Sequence, residues 1–133
     1  MPQISKIRIT NFSYNDGKRW IADELFDFAN IEDKNALNTL VNLKNGGGKS
    51  VLVQLMLQPI HPKAKVAGRK IESFFTKASD HCFVIIEWFK DNSTEKLMTG
   101  IAMASGDSTN NLEDDSKGRP VKYYTFISHY SDY

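Results

Sequence analysis

The sequence predicts an α/β fold, in which a strand–glycine loop–helix unit is joined to an antiparallel β subdomain. Three observations carry it. Asn38-Thr39-Leu40-Val41-Asn42-Leu43 reads as a strand ending at a glycine cluster. Beyond the cluster, residues 50–58 are apolar nearly all round, as a buried helix is. Further on, residues 82–89 are rich in β-branched and aromatic side chains, the composition of a strand, 95–103 follow a turn as its hairpin partner, and 121–128 read as a last strand.

The elements follow in order. Ile4-Ser5-Lys6-Ile7-Arg8-Ile9-Thr10 sets Ile7 and Ile9 two apart with polar residues between, which makes a strand with one wet face. Asn15-Asp16-Gly17-Lys18 is a turn, and Leu25-Phe26-Asp27-Phe28 alternates briefly as a second strand. Residues 31–35 are polar and form a connection. After the glycine cluster and the helix, Pro59 and Pro62 end the helix, because proline lacks the N–H that would continue it. Residues 63–70 are basic and irregular, and residues 71–77 suit a short helix with Phe74 and Phe75 inward. Asp91-Asn92-Ser93-Thr94 is a turn that makes a hairpin of the 82–89 and 95–103 segments. Residues 105–119, rich in Ser, Asp, Asn and Gly, read as a mobile loop. No internal repeat or heptad pattern is present.

Composition sets bounds. The 133 residues are enough for one core, and 41% hydrophobic with 11% aromatic is globular composition. Apolar runs such as 83–86 and 55–57 are far too short to span a bilayer, so no membrane is expected. The first residues hold no apolar stretch of signal-peptide length, and the lone Cys82 has no partner for an internal disulfide. The expectation is a cytoplasmic protein. Net charge is +1, which excludes a wholly basic nucleic-acid binder. That total hides a concentration. Residues 42–77 hold seven Lys/Arg against one Glu, a net of +6. Either this is a solvated face or it surrounds an anion.

The glycine cluster favours the anion. Asn45-Gly46-Gly47-Gly48-Lys49-Ser50 lies between the expected strand and helix, the arrangement a nucleoside-triphosphate loop requires. Glycines let the backbone curl with several N–H groups facing one concavity. The helix that follows adds its positive end and free N–H donors. Lys49 reaches the β- and γ-phosphates as a point charge. Ser50 supplies a hydroxyl to Mg²⁺, which binds through few protein ligands. The full pattern G-x-x-x-x-G-K-[ST] places glycine at position 43, where this chain has Leu43. ATP and GTP are both compatible with this loop.

The loop resembles the Asn-Gly-x-Gly-Lys-Ser loop of the SMC, MukB, RecF and RecN group of ABC-type ATPase heads. Ile7-Arg8-Ile9-Thr10-Asn11-Phe12 is similar to that group's opening strand, which typically ends in Asn-Phe or Gly-Phe. Arg69 follows Lys49 by 20 residues, a placement similar to that of the family's arginine loop. The resemblance implies a P-loop NTPase half-head that binds ATP and Mg²⁺. Asn45, Gly46, Gly47, Gly48, Lys49 and Ser50 would hold the phosphates and metal, and Arg69 would lie near nucleotide or DNA. It implies a longer protein, in which a C-terminal half-head supplies the signature motif and the Walker B acids. Two such heads would sandwich ATP and act on DNA in chromosome maintenance, repair or defence. Alone, this chain would bind nucleotide weakly and hydrolyse little, since the catalytic set is incomplete in it.

Other residues read more plainly. His61, His81 and His129 are scattered without metal-ligand spacing, and Cys82 suits a core thiol. Phe83-Val84-Ile85-Ile86-Glu87 superficially resembles a Walker B strand, but Trp88 follows where a catalytic acid is common, so Glu87 reads as an outward residue on a buried strand. Tyr123, Tyr124, Tyr130 and Tyr133 read as strand faces, with an aromatic platform for single-stranded nucleic acid as the rival. Lys63, Lys65, Arg69 and Lys70 are either solvated or in contact with nucleic-acid phosphates. Two other functions stay open: an ABC-transporter or other P-loop nucleotide-binding domain, and a non-catalytic β-rich binding module with a degenerate loop.

Overall fold

A computed structural model describes residues 2–14, 18–30, 32, 35–40, 48–75, 81–90, 95–105 and 121–131. Five long strands form one sheet: β1 (Gln3–Tyr14), β2 (Arg19–Asp27), β5 (Cys82–Phe89), β6 (Glu95–Ser105) and β7 (Val121–Ser131). Two short strands, β3 (Ala29–Asn30) and β4 (Asn35–Ala36), pair with each other. Among the described residues between β4 and β5 lie one α-helix, α1 (Lys49–Leu57), and a 3₁₀ turn, Ile71–Phe74. The large sheet runs in the order β2-β1-β5-β6-β7, and every pairing in it is antiparallel. Among the described residues, no helix is long and apolar enough to cross a membrane.

This corrects the expected fold class. The described chain is an antiparallel β sheet with one helix on it, not an α/β unit in which a strand feeds the phosphate loop. Residues 38–40, expected to begin that strand, are not in a strand, and 41–43 lie outside the described residues. The physical reason is local. Thr39 turns its hydroxyl back to donate to the Leu37 carbonyl at 3.1 Å, a short-range bond that competes with ladder pairing. The Leu37 N–H donates to the Phe28 carbonyl at 2.7 Å, which ties this stretch to the β3–β4 hairpin. Leu40 is left 91% exposed, so no apolar face drives a strand there.

One face of the sheet carries the core. Alternation along β1 and β5 sends Ile7, Ile9, Val84 and Ile86 to that face, where all are fully buried. Ile101 and Met103 of β6 join them. Val51 and Leu55 of α1 lie over this layer, and Ile71 and Phe75 complete it. Cys82 is buried at its end, and burial pushes its thiol up to about 12, so it is a protonated core group. The helix is not buried all round as expected. Val53 is 50% exposed, while two glutamines, Gln54 and Gln58, are fully buried. Ser105 ends β6 instead of opening a loop, and the remaining 106–119 segment lies outside the described residues. Of the expected 15–18 turn, residues 15–17 lie outside them too, as does the whole 91–94 turn.

The opposite face has its own polar lock. Ser5 Oγ donates to Glu87 Oε1 at 2.6 Å, the Tyr130 hydroxyl donates to Glu87 Oε2, and Lys96 Nζ lies 3.3 Å from Oε1. One carboxylate therefore joins β1, β5, β6 and β7. Glu87 is half-buried in a network, not simply outward. Partial burial pushes its pKa up, but the hydrogen bonds from Ser5 and Tyr130 and the Lys96 ammonium outweigh this and hold it below the ordinary 4.5. A depressed folded-state value gives stability that is present above 4.5 and lost as pH falls through the lowered value. Glu87→Gln should therefore cost about 1–2 kcal/mol at neutral pH. Thermal melts across pH should show the gap from wild type closing as the solution is acidified below the carboxylate range.

Candidate functional site

Asn45, Gly46 and Gly47 of the expected phosphate loop lie outside the described residues. Gly48, Lys49, Ser50 and Arg69 are described, and they lie together at the amino end of α1.

Gly48 caps the helix in a left-handed conformation, φ 94° and ψ 22°. Glycine is required there twice over. Its φ is one that side chains rarely adopt, and a Cβ would sit 3.1 Å from the Tyr14 hydroxyl oxygen. Tyr14 ends β1, so the sheet fixes where the helix starts. The Leu52 N–H donates to the Gly48 carbonyl at 2.8 Å, closing the first turn. The N–H groups of Lys49, Ser50 and Val51 precede that bond and have no carbonyl within the helix to meet. Among the described residues no side-chain cap bond meets them, and the first turn holds no acid. The positive end of the helix is thus uncompensated among the described residues.

Three side chains add to it. Lys49, the first helical residue, is exposed and has no ion-pair or hydrogen-bond partner among the described residues. Ser50 is exposed too, and its Oγ accepts from Arg69 Nη2 at a long 3.4 Å. Arg69 is far from Ser50 in sequence and arrives by a turn in which Lys63, Ala67 and Gly68 all have positive φ. Its guanidinium lies 4.7 Å from the centre of the Phe74 ring, and its Nε donates to Gln54 Oε1 at 3.1 Å. Lys63 is 3.4 Å from Glu72, whereas Lys65 and Lys70 make no ion pair among the described residues.

The arrangement has the parts to hold a phosphate: backbone donors, an ammonium and a guanidinium around one turn of helix. The Ser50 hydroxyl is the hard oxygen type that Mg²⁺ takes, and this metal completes its shell with water and phosphate oxygens. Glu87 is not among these groups. It points from the sheet face opposite α1, and its carboxylate is already bonded to Ser5, Tyr130 and Lys96.

Tyr14, Gln54 and Gln58 also shape this site and are not marked by any motif in the sequence. The glutamines had a visible signal, since two amides one helical turn apart interrupt an otherwise apolar segment. Tyr14 had none, because its partner is a backbone conformation. Compared with known proteins, the chain matches no protein-family model and no curated sequence.

Proposed function

We propose that this chain binds Mg·ATP at the amino end of α1 and acts as the ATP-binding lobe of an SMC-like ATPase that works on DNA. The observation that carries the reading is the meeting of Lys49, Ser50 and the Arg69 guanidinium around an uncapped helix start behind a left-handed Gly48. The resemblance of Asn45–Ser50 and Ile7–Phe12 to that group supports the choice of ATP and DNA. The reading rests on the loop and helix, and not on a strand feeding them.

Lys49 and Arg69 would neutralise the phosphates, and Ser50 would hold Mg²⁺, which supplies further charge neutralisation when bound. Hydrolysis needs a positioned water and a base. Glu87 cannot serve as that base from the far face of the sheet, so a second lobe would supply it, and a second head would complete the pair.

Calorimetric titration of the chain with Mg·ATP tests this. One saturable site is expected, with turnover near background in a phosphate-release assay. Robust steady-state hydrolysis by the homogeneous chain would contradict the incomplete catalytic set. The antiparallel sheet favours a second reading, a non-catalytic β-rich binding module, and absence of any Mg·ATP binding would select it.

A further inference from the structure

The strongest unexplained feature is a pair of fully buried glutamines in an apolar helix. Burying an amide is costly unless it is hydrogen-bonded, and leucine would fill the same space at no such cost. Gln54 and Gln58 are both 0% exposed. Gln58 Nε2 donates to the Gln54 carbonyl at 3.0 Å, and the other side-chain bonds of the pair converge on one segment, 63–70. Gln58 Nε2 donates to the Ala64 carbonyl at 3.1 Å, and Gln58 Oε1 accepts from the Lys63 N–H at 2.8 Å. Gln54 Nε2 donates to the Ala64 carbonyl at 3.3 Å and to the Arg69 carbonyl at 2.8 Å. Gln54 Oε1 accepts from Arg69 Nε at 3.1 Å. Arg69 is therefore gripped at its backbone and its side chain by one residue.

Resting on the reading of this site as a nucleotide-phosphate site, we infer that Gln54 is a positioning residue that holds the Arg69 guanidinium over the first turn of α1 to meet the phosphates. The helix makes this geometry. Gln54 follows Ser50 by four residues, so the two lie on one face, and a group bonded to Gln54 lies beside the Ser50 hydroxyl. Phe74 supplies the other wall, with its ring under the guanidinium. With Nε committed to Gln54, the terminal nitrogens face the helix start, where Nη2 reaches Ser50. An arginine so fixed binds an anion without losing rotamer freedom at the moment of binding.

The test is a double-mutant cycle on Mg·ATP affinity, measured by calorimetry on chains whose thermal melts show them folded. Gln54→Met and Arg69→Ala should each weaken binding about tenfold, the loss of one charge-assisted contact. The double variant should bind no more weakly than Arg69→Ala alone, because Gln54 acts through Arg69. Arg69→Lys keeps the positive charge but has no Nε–H to give Gln54 Oε1, and should bind about as weakly as Arg69→Ala. Should Gln54→Met fail to fold, Arg69→Lys carries the test: a loss close to that of Arg69→Ala supports the inference, and wild-type affinity overturns it. Wild-type affinity in folded Gln54→Met, or losses that add in the double variant, would overturn the positioning role. Lys49→Ala separates the two levels. If it weakens binding while Gln54→Met does not, only the positioning role fails. If neither Lys49→Ala nor Gln54→Met alters affinity, the nucleotide reading fails and takes the positioning role with it.

Discussion

Replacing Lys49 with alanine should remove most of the affinity for Mg·ATP and leave the fold intact. The side chain is exposed and unpartnered among the described residues, so its loss breaks no internal contact. Alanine is the best helix former, and the first turn of α1 therefore keeps its geometry. What is lost is an ammonium at a helix start whose first N–H groups have no carbonyl within the helix to meet. A hydrogen bond to a charged group is worth up to about 3 kcal/mol, which is on the order of 100-fold in affinity. Titration of the variant beside wild type, with melts of both, measures the two quantities separately. Equal melting with a large loss of affinity is the expected pair. Lys49→Arg should recover only part, because a planar fork does not replace a compact ammonium.

Phe12→Ala should produce the largest loss of stability. Phe12 is 1% exposed, near the end of β1. Its ring meets Phe74 edge-on at 5.3 Å and Phe75 at 6.2 Å. Truncating a buried phenylalanine costs about 3–5 kcal/mol, a large share of the whole for a domain of this size. The melting temperature should fall by about 10–20 °C. The effect should also reach the site, since Phe74 lies beneath the Arg69 guanidinium and loses its own support. Denaturant titration of Phe12→Ala and Phe12→Leu checks this, with Leu expected to recover much of the loss. If Phe12→Ala melts with the wild type, the rings do not hold the 71–75 segment to the sheet.

Much of the sheet was legible because its strands obey simple rules. Cys82–Phe89 is a run of β-branched and aromatic residues bounded by polar ones, and it forms β5 over that span. Ile7 and Ile9 face the core as their spacing requires. The hairpin expected of the 82–89 and 95–103 segments is the β5–β6 pair, but sequence could not show that β1 lies between β2 and β5. The strand expected at 38–43 rested on Leu40 and Val41, but Thr39 bonds its own backbone and Leu40 reaches solvent. Pattern alone sees an apolar residue and not whether a face exists to cover it.

The site divides in the same way. Lys49 and Ser50 were readable from the glycine cluster, since their roles depend on adjacency. The approach of Arg69 to Ser50 depends on a turn through three positive-φ residues, two of them Lys63 and Ala67, which carry no glycine signal. Asn11 likewise takes φ 54° within β1, where its amide donates to the His81 carbonyl at 3.1 Å and its Oδ1 accepts from Trp20 Nε1 at 3.3 Å. Asparagine tolerates that conformation better than most side chains.

The central claim is that phosphate binds at the amino end of α1. Backbone amide spectra of isotope-labelled chain, recorded during addition of Mg·ATP, test it most directly. The expected result is saturable shifts of the Gly48, Lys49, Ser50 and Val51 amides together with the Arg69 Nε–H. Saturable binding that leaves those five signals unmoved, or no shift anywhere at millimolar Mg·ATP, would contradict it.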